Sequence, residues 1–345
     1  MFKKGGNFSR LMASEAILVQ NLTRKFKELV AVDNISFSVH QGELFGLLGP
    51  NGAGKTTTIN VLATLLEPTS GNAAVAGFDV AKSQGDVRKH IGIVFQEPAL
   101  DTKLTGRENL EFHAMMYKIP KVERKRRIAD VLSLVELTDK ADVLVENYSG
   151  GMKRRLEIAR GLIHEPAVLF LDEPTLGLDS QTRRLIWDYI KKLNKERGVT
   201  IILTTHYMEE ADFLCDRVAI IDHGKIVVLD TPAKLKDALG GDVVCLEVND
   251  EQETLLNRMR SLEWIKAAKH YNGCNLSLTM EKAETRIPEI VSIAEQDKAK
   301  ITSVSIRKPS LEDAFLHFTG RTIREQEASQ DDKNRRVLRM RMRRW

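Results

Sequence analysis

Residues 49–56, Gly-Pro-Asn-Gly-Ala-Gly-Lys-Thr, follow the apolar stretch ELFGLLG and precede a run of helix-compatible residues. This strand–loop–helix setting of GxxxxGK[ST] constrains the chain more than any other feature. Glycines let successive backbone N–H groups converge on phosphate oxygens without interference from a Cβ. The helix that follows adds the partial positive charge of its N-terminus. Lys55 can reach the β- and γ-phosphates of a nucleotide, and the Thr56 hydroxyl is a natural Mg²⁺ ligand. Gly49, Pro50, Asn51, Gly52, Ala53, Gly54, Lys55, Thr56 and Thr57 are therefore the candidate phosphate-binding residues. The helix is expected from about Gly54 to Leu66, ended by the turn Pro68–Gly71.

A second group of residues belongs to the same site if the strands around them form one sheet. AVLFLDEPT (167–175) is a buried-strand pattern ending in two carboxylates. Ligands of open α/β sheets bind beyond the carboxyl ends of the strands. There Asp172 can orient Mg²⁺, and Glu173 can polarise an attacking water. Gln96 ends another strand pattern, IGIVFQ, and can bridge metal and water; His206 follows VTIILTT and can sense the γ-phosphate or orient Glu173. Tyr148-Ser149-Gly150-Gly151-Met152 opens a helix with a serine cap and free amides, a second anion-binding helix start. About a hundred residues separate it from the cradle, which implies that a second subunit supplies it. The run Lys153-Arg154-Arg155 is expected to form a solvated face.

From Ala16 to about Gln96 the chain is strand-rich, with AILVQNL, NISFSVH, ELFGLLG, NAAVAG and IGIVFQ punctuated by Gly, Asn and Asp. Residues 97–165 turn helical: Thr105 and Glu108 form a capping-box pattern, and Val122, Ile128, Val131, Leu132 and Val135 fall mostly on one face. From Ala167 strands and helices alternate again, with helices expected at 180–196 and 207–213. That alternation implies a parallel sheet covered on both faces, with the helical segment inserted into it. Residues 240–319 show the order β-α-β-β-α-β of a ferredoxin-like arrangement, with an Asn272–Gly273 hairpin signal and a closing helix capped by Ser310. The expected domains are a leader at 1–14, a nucleotide-binding domain at 15–239 with a helical subdomain at about 97–165, a small domain at 240–320 and a basic tail at 321–345.

Charge narrows the choice of partner. The 345 residues carry 52 Lys and Arg against 48 Asp and Glu. Seven of the basic residues and no acid lie in the last 13, leaving 45 against 48 elsewhere, so the body gives no sign of nucleic-acid binding. The tail alternates Arg with Met and ends in Trp, which suits anionic lipid headgroups and equally suits a solvated tail. No run approaches the ~18–20 apolar residues needed to cross a bilayer. The start has two lysines but no apolar stretch behind them, so no secretory signal is expected, and Met12 is an alternative start. Three cysteines, at 215, 245 and 274, fit neither a zinc site nor a disulfide framework and are expected as buried thiols in a reducing compartment.

With these residues assembled, the chain resembles the ATP-binding subunits of the ABC transporter superfamily over about 16–235. GPNGAGKT resembles Walker A, Gln96 the Q-loop glutamine, and SGG at 149–151 the signature. VLFLDEPT resembles Walker B with Glu173 as catalytic carboxylate, LGLDS the D-loop with Asp179 facing the opposite protomer, and His206 the switch histidine. Two departures stand out. The signature reads YSGGM rather than LSGGQ, and the adenine-stacking aromatic, commonly tyrosine, is Phe26. Phe keeps the stacking face and loses only a hydroxyl. The segments YSGGMKRRLEIARGLIHEP, THYMEEADFLCDRVAIIDHG and RKPSLEDAFLHFTG are similar to the daunorubicin-resistance type subunits, which pair with ABC-2 type permeases.

The resemblance implies an α/β fold: a P-loop NTPase (ABC ATPase) core with an antiparallel β subdomain and a helical insertion, plus a small α+β domain. It implies ATP and Mg²⁺ as ligands, hydrolysis of ATP to ADP and phosphate, and a dimer whose second subunit is another copy of this chain. An ABC-2 permease is the implied membrane partner, and the subunit is expected in the cytoplasm, peripheral to the inner face of the membrane. Efflux of hydrophobic compounds is the implied task. Two alternatives stay open: an importer ATPase whose C-terminal domain binds an inhibitory effector, and a non-transport ABC ATPase acting on ribosomes or DNA. The C-terminal domain carries no recognisable catalytic group and is expected to serve dimer contact or regulation.

Overall fold

The computed structural model describes residues 15–249, 252–271 and 274–320. The expected leader, the basic tail and the Asn272–Gly273 turn lie outside the described residues. The chain divides into two compact units, one ending at Leu229 and the other beginning at Asp230.

Two sheets build the first unit. Strands β1 (Glu15–Phe26), β2 (Leu29–His40), β4 (Ser70–Val75) and β5 (Phe78–Asp79) pair antiparallel in the order β2-β1-β4-β5. Strands β3 (Leu44–Leu48), β6 (Ile91–Val94), β7 (Val168–Asp172), β8 (Thr200–Thr205), β9 (Arg217–Asp222) and β10 (Lys225–Asp230) follow the order β10-β9-β3-β8-β7-β6. From β9 to β6 the pairings are parallel. The strand-rich first hundred residues therefore feed two different sheets. Every residue of β3, β7 and β8 is buried, as expected of central parallel strands covered on both faces. The sheets share one core in which the Phe37 and Phe45 rings stack at 5.3 Å. Each fully buried large apolar side chain contributes about 1.5–3 kcal/mol.

Seven helices complete the described part of this unit: α1 (Lys55–Leu62), α2 (Gln84–His90), α3 (Gly106–Met116), α4 (Lys121–Leu134), α5 (Gly150–Leu162), α6 (Ser180–Arg197) and α7 (Met208–Leu214). Helix α1 is a turn shorter than expected. Thr64 takes a left-handed φ of +62°, and the N–H groups of Leu65 and Leu66 both return to the Asn60 carbonyl. Thr105 caps α3 in a complete capping box with Glu108. On α4, Ile128, Val131 and Leu132 are buried, but Val122 is 89% exposed. Six residues at about 100° each put Val122 roughly 120° around the helix from Ile128.

In the second unit, β11 (Asp242–Val248), β12 (Ile265–Tyr271), β13 (Cys274–Met280) and β14 (Ile301–Arg307) form an antiparallel sheet in the order β12-β13-β11-β14. Helices α9 (Gln252–Arg260) and α10 (Ala283–Gln296) supply Leu255, Leu256, Met259 and Ile290 to the core beneath it. This is the ferredoxin-like arrangement. Helix α11 (Leu311–Thr319) starts at a capping box between Ser310 and Asp313, and Arg307 pairs with Asp313. A short helix, α8 (Pro232–Asp237), precedes the sheet, and its Thr231 cap and Pro232 are local start signals.

Candidate functional site

The cradle forms where β3 passes into α1, and close neighbours dictate two of its glycines, Gly49 and Gly54. A Cβ on Gly49 would lie 2.2 Å from the Ile221 carbonyl oxygen. Gly54 has φ +106°, and a Cβ there would meet the Ala31 carbonyl oxygen at 2.5 Å. Lys55 is buried, and its Nζ donates to the carbonyls of Gly49 (2.7 Å) and Pro50 (3.1 Å). The same ammonium lies 3.4 Å from Glu173 Oε1.

Parallel pairing of β3, β8 and β7 brings their carboxyl ends together, and with them the polar residues that follow. Asp172 Oδ1 accepts from Thr56 Oγ1 at 3.1 Å and from Thr204 Oγ1 at 2.5 Å. Glu173 leaves the strand in the left-handed region, φ +46°. Such a conformation costs a non-glycine residue about 1–2 kcal/mol and is held only by its surroundings. Here the holding contact is Thr204, whose hydroxyl accepts the Glu173 N–H at 3.0 Å. Glu173 Oε1 then lies 3.3 Å from His206 Nδ1. Burial pushes the Glu173 carboxyl up, but His206 and Lys55 outweigh burial and hold it below the usual carboxylate range. The site thus keeps an ionised carboxylate beside the Lys55 cation at the 49–56 loop.

Thr56 and Asp172 offer two hard oxygen donors at one point. Among the described residues, no group of three or more His, Cys, Asp or Glu side chains converges as a metal cage. That donor set suits Mg²⁺, which keeps waters and phosphate oxygens as most of its ligands. Gln96 is exposed and lies two residues beyond β6, so it does not end the strand as expected. The β6–β7 ladder stops at Val94 and Leu171, and the Phe95 carbonyl turns instead to the guanidinium of Arg154 at 2.6 Å.

Arg154 corrects the expectation of a solvated face at 153–155. It is buried, and it also donates to the carbonyls of Pro174 (2.6 Å) and Asp172 (3.2 Å) and to Glu157 Oε2 (3.0 Å). Its neighbour Arg155 donates to the Val135 carbonyl at 3.0 Å. The sequence held a signal for this: Arg154 lies four residues before Ile158 on the buried face of α5.

Ser149 caps α5 by accepting the Met152 N–H at 3.3 Å, and it and Gly150 are exposed. Asp179 caps α6 by accepting the Thr182 N–H at 2.9 Å. The two helix starts touch: a Cβ on Gly151 would lie 2.5 Å from Thr182 Cγ2. Phe26 is 39% exposed at the end of β1, with the Arg24 guanidinium 4.6 Å from its ring centroid. Of the cysteines, Cys215 is buried, with its thiol pushed well up by burial, and Cys245 is half-buried. The structure therefore gathers Lys55, Thr56, Asp172, Glu173 and His206 at one sheet edge, and gathers Ser149, Gly151 and Asp179 at two adjoining helix starts.

Comparison with known proteins gives the family. Residues 32–176 match the ABC transporter family, and residues 231–319 match the C-terminal domain of DrrA1-3-like ATP-binding proteins. The linearmycin resistance ATP-binding protein LnrL of Bacillus subtilis is 41% identical over 89% of this chain and 99% of its own length. The chain belongs to the ABC transporter ATP-binding family. A daunorubicin resistance ATP-binding protein, DrrA2 of Streptomyces coeruleorubidus, is 36% identical over 92% of this chain and 99% of its own. Among solved structures, an ATP-binding cassette captured as a post-hydrolysis dimer with ADP and Pi superimposes with a TM-score of 0.56. It is 30% identical and covers 62% of this chain and 98% of that one. This member of the ABC family is an ATP-binding and ATP-hydrolysing transporter subunit with a DrrA-like C-terminal domain. No helix among its described residues is long and apolar enough to cross a membrane.

Proposed function

We propose that two copies of this chain hold two ATP molecules between them and that hydrolysis drives efflux through a separate ABC-2 type permease. Each pocket pairs the 49–57 cradle of one protomer with Ser149, Gly150, Gly151 and Asp179 of its partner. One observation carries this reading: Lys55, Asp172, Glu173 and His206 crowd one sheet edge, while the capped start of α5 leaves Ser149 and Gly150 open to a second molecule. The dimeric state of the related cassette, bound to ADP and Pi, supports the same arrangement.

Within that pocket Phe26 stacks on adenine, the loop amides and Lys55 bind the phosphates, and Glu173 takes a proton from the attacking water. His206 holds Glu173 and contacts the γ-phosphate. Thr56, Asp172 and Gln96 would hold Mg²⁺, which supplies charge neutralisation on the phosphate oxygens when bound. ATP ties the two halves together until its γ-phosphate is removed, and the motion then passes through the helical subdomain of about 97–165. Phe112 and Met116 of α3, 61% and 65% exposed, form an apolar patch suited to the permease.

The subunit is peripheral on the inner face of the membrane. Residues 15–239 act as the ATPase domain, 240–320 as a regulatory or dimer-contact domain, and 321–345 as a basic segment suited to anionic lipid. Hydrophobic cargo is in keeping with relatives named for linearmycin and daunorubicin resistance. The test is to isolate the subunit from native membranes and identify its companion. An ABC-2 permease supports the reading, whereas recovery with ribosomes or with an importer complex refutes it.

A further inference from the structure

Arg154 and Glu157 place a buried ion pair between two segments that are far apart in sequence. Both side chains are buried, at 6% and 1% exposure, and Nη1 meets Oε2 at 3.0 Å. On one side the pair brackets residues 95–99: the Phe95 carbonyl accepts from Arg154 at 2.6 Å, and Glu157 Oε1 accepts the Ala99 N–H at 2.8 Å. Gln96 lies inside that bracket. On the other side the same guanidinium binds the carbonyls of Asp172 (3.2 Å) and Pro174 (2.6 Å), the residues on either side of Glu173.

A buried ion pair is weak as a source of stability, because desolvation offsets much of the attraction. A planar fork with five N–H donors is, however, well suited to fixing several acceptors at once. Phe95 and Ala99 also line a groove together with Phe112 and Met116. A partner seated in that groove would contact Phe95 and Ala99 of the bracketed segment.

We propose that Arg154 and Glu157 form a positioning relay, which makes the alignment of the Glu173 carboxylate depend on how residues 95–99 are seated. Neither side chain touches substrate. The relay rests on the reading of Glu173 as the residue that activates water. It predicts that loosening the pair lowers the hydrolytic rate and leaves nucleotide binding intact, since Lys55 and the loop amides are not among its partners.

The test uses the full chain in three variants. R154Q/E157Q removes both charges together and so leaves no unpaired buried ion; R154K keeps a cation opposite Glu157 but loses the fork; E173Q is the control. Displacement of a reacting group by about 1 Å costs up to about 100-fold in rate. The relay therefore predicts that kcat falls about 10- to 100-fold in R154Q/E157Q, with the ATP dissociation constant within about twofold. It predicts that R154K, which cannot serve all three carbonyls at once, unfolds below the wild-type temperature and recovers only part of kcat. Full kcat in R154Q/E157Q, or full recovery in R154K, overturns the relay while E173Q stays inactive and the reading of Glu173 stands. Equal losses of ATP affinity and kcat also overturn it, by showing a general structural role. Wild-type turnover in E173Q refutes the reading of Glu173 and the relay with it.

Discussion

The backbone N–H of Glu173 is shared between the carbonyl of Thr204 at 3.2 Å and its hydroxyl at 3.0 Å. One residue of β8 thus pins the left-handed turn that presents Glu173, and its hydroxyl donates to Asp172 as well. Thr204→Val keeps the shape and deletes those hydroxyl bonds, leaving a buried carboxylate and amide short of partners. The expected cost is about 1–3 kcal/mol of stability together with a loss of turnover. Thr204→Ser restores both, as read by thermal unfolding and steady-state ATP hydrolysis.

Glu173→Gln keeps the side-chain volume and removes the base. ATP binding should persist while turnover falls about 10²–10⁴-fold, the range for loss of a general base. Isothermal titration and single-turnover kinetics on the same preparation separate the two effects. Undiminished turnover would take Glu173 out of its proposed role.

The pH dependence of turnover follows from the groups around that carboxyl. His206 and Lys55 hold it below the usual carboxylate range against the upward push of burial. Its ionised form therefore persists at mildly acidic pH, and turnover fails only as pH drops through the lowered value. Stability has the same sign: a depressed native value contributes above the ordinary carboxylate range and is lost as pH falls through the native one. His206→Ala removes the larger of the two lowering influences. The acid limb of the kcat profile should then move to higher pH, whatever happens to its height. An unmoved limb would separate His206 from Glu173.

Contact between the starts of α5 and α6 makes a compensating pair. Gly151→Ala would put its Cβ 2.5 Å from Thr182 Cγ2, on a stiff β-branched side chain. Overpacking of this kind costs about 1–3 kcal/mol. Thr182→Ser deletes Cγ2, and the Thr182 Cβ lies 3.9 Å away, so Gly151→Ala should be tolerated on that background. Unfolding temperatures of the four combinations check this. Equal damage on both backgrounds would place the cost elsewhere.

Local rules explain which parts of this molecule were legible in its sequence. The cradle, the capping box at Thr105 and the cap at Ser310 depend on residues a few positions apart, and the structure contains each of these contacts. Arg154 escaped because a charged run normally marks a solvated face, and Glu157 together with carbonyls from residues 95, 172 and 174 makes its burial tolerable. Thr204 escaped for the same reason: inside VTIILTT it passes for a β-favouring residue until β8 is laid beside β7. The division of the early strands into two sheets is likewise a matter of long-range pairing, which alternation of apolar residues does not encode.

The claim that each nucleotide pocket draws on two protomers is tested most directly by mixing two inactive variants. Lys55→Ala disables a cradle, and Ser149→Arg disables the helix start offered to the partner. A mixed dimer carries both defects in one pocket and leaves the other pocket wild type. With random pairing, half of the dimers are mixed and each regains one of its two pockets, so the mixture should recover about a quarter of wild-type ATPase activity. A mixture as inactive as its parents, or full activity in Ser149→Arg alone, would contradict the shared pocket.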